Sequence, residues 1–111
     1  MKIPKTLKIG GRDYRVLYPH IFNDSQQALN GQHDADSQLI KVCDVDSFGR
    51  KRHPQAIIQA FLHETLHAID LVYGCGTLGG MSQAGENILE QLSEGLLQVL
   101  QDNDLDFRRL K

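Results

Sequence analysis

The sequence has no tryptophan and only two cysteines, two methionines and three prolines among its 111 residues. Two cysteines are too few for a disulfide-stapled scaffold, and they do not form a C-x-x-C pair. No apolar run comes near the roughly 20 residues that a membrane-spanning helix needs. The first twenty residues are basic but contain no apolar stretch of the kind that a secretory signal needs. These absences predict a soluble, cytoplasmic protein.

An excess of charge of one sign is also missing. Twelve Lys and Arg against fourteen Asp and Glu give a net charge of -2. A nucleic-acid binder would show a basic face, so nucleic acid is not an expected partner. The one basic cluster, at residues 49–53, is typical of an ordinary solvated loop. With 41% apolar and 23% charged residues, the composition is that of a globular protein, and the length predicts a single domain over 1–111.

The first half of the chain predicts strands. The Gly10-Gly11 turn between residues 6–9 and 12–17 is typical of a β-hairpin. A second extended pair is predicted at 28–34 and 38–44, followed by a polar loop to residue 53.

The second half of the chain predicts two helices. Pro54 suits the first position of a helix, and apolar residues then surround most of its circumference, so this helix should be buried. Gly74 is typical of a helix end. Ser82 is a candidate N-cap for a second helix that reaches about Gln101. One apolar stripe is predicted on it, formed by Ile88, Leu89, Leu92, Leu96, Val99 and Leu100. The expected fold is α+β, with a small antiparallel sheet of about three to four strands followed by two main helices.

The strongest chemical signal is an H-E-x-x-H motif at residues 63–67, inside the first helix. Residues four apart on a helix lie on one side, so the rings of His63 and His67 should point the same way. Two histidines at this spacing are typical zinc ligands, and Glu64 between them would face the water that zinc activates. Packing without a metal is the alternative, but it would leave these polar groups unsatisfied on a buried helix.

The third zinc ligand should come from the second helix, because catalytic zinc normally takes three protein ligands. The glutamates available there are Glu86, Glu90 and Glu94. Glu90 is the favoured ligand, Glu94 is the main alternative, and a solvated helix face remains possible for each of them. Asp70, three residues after His67, is a candidate to orient a ligand histidine from behind, although an ordinary polar contact is an equal alternative.

Other polar residues carry weaker signals. His20 and Tyr73 are possible donors to an oxyanion, and His20 and His33 could reach the zinc, but their spacing supports none of these roles. The acidic pairs at 33–36 and 44–46 lack the glycine and glutamate of a calcium loop, so solvated turns are expected there.

The sequence from His63 to Asp70, the Leu-Val-Tyr-Gly that follows and residues 90–103 together resemble small phage and prophage zincins. These are similar to the ImmA/IrrE-type zinc metallopeptidases. The resemblance extends more weakly to residues 11–16 and 38–42. It implies a fold in which two helices and a small sheet hold the metal, with His63 and His67 as ligands, Glu64 as general base and Glu90 as third ligand.

The sequence therefore predicts a zinc-dependent metallopeptidase, encoded by a phage or another mobile element, that acts on a protein or peptide substrate. Glu64 would take the proton of the attacking water. The strand at 38–42 is expected to pair with an extended substrate if it lies at the sheet edge. The alternative is a non-catalytic protein-interaction module that zinc stabilises, since a small core gains much from a metal.

Overall fold

The structure is a computed structural model, and it describes residues 2–22, 30–74, 76 and 82–103. Four strands precede two helices, which confirms the α+β class and the predicted layout. The elements are β1 (Thr6–Ile9), β2 (Arg12–Leu17), β3 (Gly31–Asp34), β4 (Leu39–Val42), α1 (Pro54–Gly74) and α2 (Gln83–Asn103).

The strands form one sheet in the order β1-β2-β4-β3. Both predicted hairpins are present: β1 pairs with β2, and β3 pairs with β4, each antiparallel. Residues 28 and 29 of the predicted second pair lie outside the described residues. The hairpins join through a parallel pairing of β2 and β4, so the sheet is mixed rather than wholly antiparallel. Parallel strands need a connection of about a dozen residues or more, and the chain between β2 and β4 provides it.

The helix boundaries agree closely with the sequence signals. α1 begins at Pro54 and ends at Gly74, as predicted. The hydroxyl of Ser82 accepts the backbone N–H of Gly85 at 3.0 Å, which confirms the N-cap of α2. Most of the glycine-rich connector, residues 75 and 77–81, lies outside the described residues. Within the described part of the chain, neither helix is both long enough and apolar enough to cross a membrane.

α1 is the centre of the molecule. It contacts β3 and β4 on one side and α2 on the other, and residues 57–64 form an unbroken buried run. The sheet contributes Tyr14, Ile40 and Val42, which are at most 1% exposed, to the same core. At Gly10 the backbone φ is +61° and an added Cβ would lie 2.7 Å from a methyl group of Val72. The β1–β2 turn therefore reaches the end of α1 only because it carries a glycine.

The predicted apolar stripe of α2 is split in the structure. Gly85, Leu89, Ser93 and Leu97 are buried. These four residues are four apart, so they form one line along the helix that faces α1, and the small side chains among them let the two helices approach closely. Leu100 is partly buried against the core, whereas the four other large apolar side chains of the predicted stripe are between 37% and 46% exposed, namely Ile88, Leu92, Leu96 and Val99.

Gly95 gives a direct test of the α2 assignment. It lies on the exposed side of the helix interior, and a Cβ at this position would meet no atom of the described residues within 4 Å. Because glycine is about 1 kcal/mol less favourable than alanine in a helix interior, we expect Gly95→Ala to raise the free energy of unfolding by about 1 kcal/mol. Chemical denaturation measures the change.

The matched control for this substitution is Gly10→Ala. It should lower the free energy of unfolding, because alanine is strained at a φ of +61° and its Cβ would clash with Val72. A loss of stability in Gly95→Ala as well would contradict the exposed helical environment of Gly95.

Candidate metal centre

The H-E-x-x-H motif lies where α1 faces the beginning of α2. His63 is 5% exposed, and the ring centroids of His63 and His67 are 4.9 Å apart. The i, i+4 spacing therefore brings the two imidazoles together on one side of the helix, as the sequence predicts.

The carboxylate of Glu86, in the first turn of α2, joins the two rings. Its Oε1 lies 2.5 Å from Nε2 of His67, and its Oε2 lies 3.2 Å from Nε2 of His63. The ligand atoms of these three residues all lie within 4.8 Å of one another. Two imidazole nitrogens and one carboxylate oxygen are a donor set that catalytic zinc takes, so the residues fit a zinc ion.

Glu90 lies on the other side of His63. Its Oε2 is 2.9 Å from Nδ1 of His63, but the two groups are not aligned for a hydrogen bond. The buried Nδ1 of His63 therefore has no hydrogen-bond partner among the described residues. The amide of Gln59 donates to Oε1 of Glu90 at 2.8 Å and to the hydroxyl of Ser93 at 2.7 Å. A carboxylate held behind a ligand histidine orients the ring and raises its basicity.

The carboxylate that clusters with both histidines is therefore that of Glu86, whereas the sequence favours Glu90 as the third ligand. α1 and α2 run antiparallel, so His67 is level with Glu86, whereas His63 is level with Glu90. Glu86 and Glu90 are four residues apart and share one face of α2. The sequence identifies that face, but the level at which the two helices meet depends on the connector. A shift of α2 by one helical turn relative to α1 decides whether Glu86 or Glu90 lies beside both histidines.

The other predicted site residues are not members of this three-residue cluster, although His33 lies close enough to His67 to interact with it electrostatically. Glu94 is exposed and lines a separate cavity with His53 and Leu97. Asp70 is buried on α1 and is not one of the three clustered residues. His20 packs its ring edge-to-face against Phe22. Tyr73 is 71% exposed.

A cavity of about 180 Å³ is lined by two of the three clustered residues, His63 and Glu86. Its lining also includes Glu64, Glu90 and Gln59, together with the start of β3. Neither oxyanion candidate, His20 or Tyr73, is among the described residues that line it.

β3 packs directly against Glu64. The backbone N–H of His33 donates to the Glu64 carboxylate, and a Cβ on Gly31 would lie 3.0 Å from the Glu64 Cγ. The ring of His33 is in turn held by the hydroxyl of Tyr14, 2.8 Å from Nε2. Sequence reasoning missed these contacts, because they depend on strand pairing across the sheet. A glycine beginning a strand was the only local signal of a close approach.

This placement corrects the predicted substrate strand. The strand at 38–42 contains β4, which lies inside the sheet with β2 on one side and β3 on the other. Its backbone groups are therefore used on both sides, and it is not an edge. β3 is the edge strand that lies beside Glu64.

The electrostatics of the cavity favour a cation. Burial first, and then the carboxylates of Glu86 and Glu90, raise the pKa of Glu64 to about 8, while the hydrogen bond from the N–H of His33 lowers it. Three carboxyl groups around one small cavity are costly to ionise together, and a bound cation relieves that cost.

The raised pKa of Glu64 predicts how the stability of the metal-free protein depends on pH. Between about pH 4.5 and 8 the carboxyl holds its proton in the folded state and loses it in the unfolded state. The folded protein binds more protons, so its free energy of unfolding should fall as pH rises through this window, by up to about 5 kcal/mol. Denaturation of chelator-treated protein between pH 5 and 8.5 measures this fall.

Glu64→Gln should flatten this pH dependence, because an amide does not titrate and still accepts the N–H of His33. Glu94→Gln is the matched control, since Glu94 is exposed and its substitution should leave the dependence intact. Equal pH dependence in wild type and Glu64→Gln would show that another group causes it.

Comparisons of this chain with protein-family models, with curated proteins and with solved structures gave no match.

Proposed function

We propose that this chain is a zinc-dependent metallopeptidase. The observation that supports this most is the carboxylate of Glu86 shared between the Nε2 atoms of His63 and His67, with the buried Glu64 beside them. The three ligands leave room for a fourth, non-protein group, as in a catalytic rather than a structural zinc site.

In this proposal His63, His67 and Glu86 hold the metal, while Glu90 orients His63 and is itself fixed by Gln59. Zinc bound there would polarise the carbonyl of a peptide bond and make a water molecule acidic enough to attack it near neutral pH.

Glu64 moves the proton. The positive charge of a bound ion favours the ionised carboxylate, which counteracts the burial that raises its pKa in the metal-free protein. The ionised carboxylate accepts a proton from the attacking water and returns it to the amine that leaves. The N–H of His33 keeps the carboxylate pointing into the cavity.

The substrate is a peptide in extended conformation. β3 is an outer strand of the sheet and touches Glu64 through Gly31. A peptide that paired with β3 as an added strand would be held by main-chain hydrogen bonds, and its backbone would then lie beside the cavity. This replaces the strand at 38–42 as the proposed substrate contact.

The proposal is tested by purifying the chain, measuring its zinc by elemental mass spectrometry and incubating it with a proteome-derived peptide pool. We expect close to one zinc per chain and new peptide ends that disappear after chelation and return when zinc is restored. A folded chain that binds no added zinc would rule out the proposal. Stoichiometric zinc with no cleavage of any peptide would favour the zinc-stabilised interaction module instead.

A further inference from the structure

A third cavity lies at the beginning of α1 and belongs to no part of the proposed zinc site. Its volume is about 660 Å³, against about 180 Å³ for the cavity at the histidines, and the two share no lining residue among those described. A volume of this size falls within the roughly 300–1,000 Å³ of cavities that hold small organic ligands.

The floor of this cavity is apolar. The buried side chains of Ile57 and Ile58 from the first turns of α1 form it together with the partly buried Ile3. The ring of Tyr18, which is 39% exposed, and Pro54 continue the same surface. Such a floor removes an aliphatic chain from water at roughly 25 cal/mol for each Å² of apolar surface covered.

The rim of the cavity is cationic. Lys2, Lys51 and Arg52 line it, and none of the described lining residues is acidic. The only carboxylate of the described residues that pairs with any of these three is Asp44, which lies 3.6 Å from the Lys51 ammonium. The rim therefore keeps a net positive charge.

Arg52 is fixed in place by backbone carbonyls, and the nearby carboxylate of Asp46, which pairs with Arg50, acts on it electrostatically without forming an ion pair among the described residues. The guanidinium of Arg52 donates to the backbone carbonyls of Asn30, Cys43 and Ala56 at 2.8–3.3 Å. These bonds use three of its five N–H donors and bring no opposite charge. Arg52 therefore offers a rigid cation at the edge of an apolar floor, a geometry suited to a carboxylate head.

We propose that this cavity binds an aliphatic carboxylate, with the anionic head at Lys2, Lys51 and Arg52 and the chain on the isoleucine floor. Charge complementarity selects the head, because the described rim residues include three cations and no acid. The apolar floor selects against a free inorganic anion, which would leave it exposed to water. A medium-chain fatty acid has both features, and the carboxyl end of an apolar peptide shares the same chemistry.

The test is a titration of the ¹⁵N-labelled full chain with octanoate, followed by the backbone amide signals of residues 57 and 58. We expect saturable shifts of these signals, and at least about five-fold weaker binding of octanamide, which lacks the charge. Inorganic phosphate, which lacks the chain, should bind more weakly still. Equal binding of octanamide would overturn the charged head, and equal binding of phosphate would overturn the apolar floor.

Substitutions locate the bound head. Lys2→Gln combined with Lys51→Gln should weaken octanoate binding about five-fold or more, since each cation contributes an exposed ion pair. Both lysines are exposed, so the fold should be retained, and the amide spectrum verifies this. Lys8→Gln is the matched control, because Lys8 is an exposed lysine of β1 paired with Asp13 and is not a lining residue of the cavity. An equal loss in the control would overturn the proposed position.

N-acetyl-trileucine and its amide distinguish the source of the carboxylate. Tighter binding of octanoate supports a fatty acid as the ligand, whereas tighter binding of the acetylated peptide, lost in its amide, would overturn the fatty acid in favour of a peptide end. Neither result depends on zinc or on peptidase activity.

Discussion

Glu64→Gln is expected to keep a full complement of zinc and to lose peptide hydrolysis by roughly a thousand-fold, the usual scale of a lost general base. The zinc should stay because Glu64 is not one of the three residues whose ligand atoms cluster. The fold should stay because glutamine has the same shape and its carbonyl oxygen still accepts the N–H of His33. The loss should fall on kcat, since Glu64 contributes a proton transfer rather than substrate binding.

The control for this experiment is Glu94→Gln, which makes the same chemical change at an exposed position of α2. It should hydrolyse peptides at the wild-type rate. Two measurements on each variant, zinc content and the rate of peptide cleavage, separate a catalytic site from a structural one. Unchanged hydrolysis in Glu64→Gln would remove Glu64 from the mechanism, whereas loss of zinc would show that it helps to hold the metal.

The parts of the fold that the sequence predicted well are those set by local chemistry. The spacing of His63 and His67 fixes their common side of α1, whatever the rest of the chain does. Pro54 and Ser82 mark helix starts through single-residue effects, a fixed φ and a hydroxyl that caps an N–H. The Gly10-Gly11 hairpin depends likewise on a turn of two residues.

The parts that the sequence left open are set by contacts between distant segments. β2 pairs in parallel with β4, and this pairing makes β3 an edge strand. Nothing in the residues of β2 or β4 indicates that these two strands are neighbours. The close approach of β3 to Glu64 depends on that arrangement. The sequence places Gly31 inside the predicted strand at 28–34 but does not show what that strand faces, whereas in the structure Gly31 is the residue that lets β3 contact the candidate general base.

The split of the α2 stripe has the same origin. The six apolar residues of the predicted stripe recur at helical spacing. The residues of α2 that are buried follow a different line along the helix, and this line faces α1. Leu89 and Leu97 lie on this line, with Ser93 between them and Gly85 one turn before Leu89. Predicting the buried face from large apolar residues alone overlooks small residues such as glycine and serine. Small residues matter because they decide how closely two helices pack, and therefore which face is buried.

The choice between Glu86 and Glu90 as third ligand predicts two clearly different losses of zinc affinity. Glu86→Gln removes the carboxylate that meets both imidazoles and should weaken zinc binding on the order of a thousand-fold, beyond the 10–100-fold typical of a residue that only orients a ligand. Glu90→Gln removes the group behind His63 and should weaken binding by about 10–100-fold. Competition with a chromogenic zinc chelator measures both.

Glu94→Gln again provides the baseline, with no expected change in zinc affinity, because Glu94 lies at a separate cavity. The order of the two losses decides the assignment: a larger loss in Glu90→Gln would make Glu90 the ligand, as the resemblance to zincins implies, and would place α2 one turn away from its position here. The expected order instead identifies Glu86 as the ligand level with His67. Glu90 would then act through His63, whose Nδ1 has no hydrogen bond in the structure. Zinc bound at Nε2 would leave the ring proton on Nδ1, where the Glu90 carboxylate can accept it after a small change of angle.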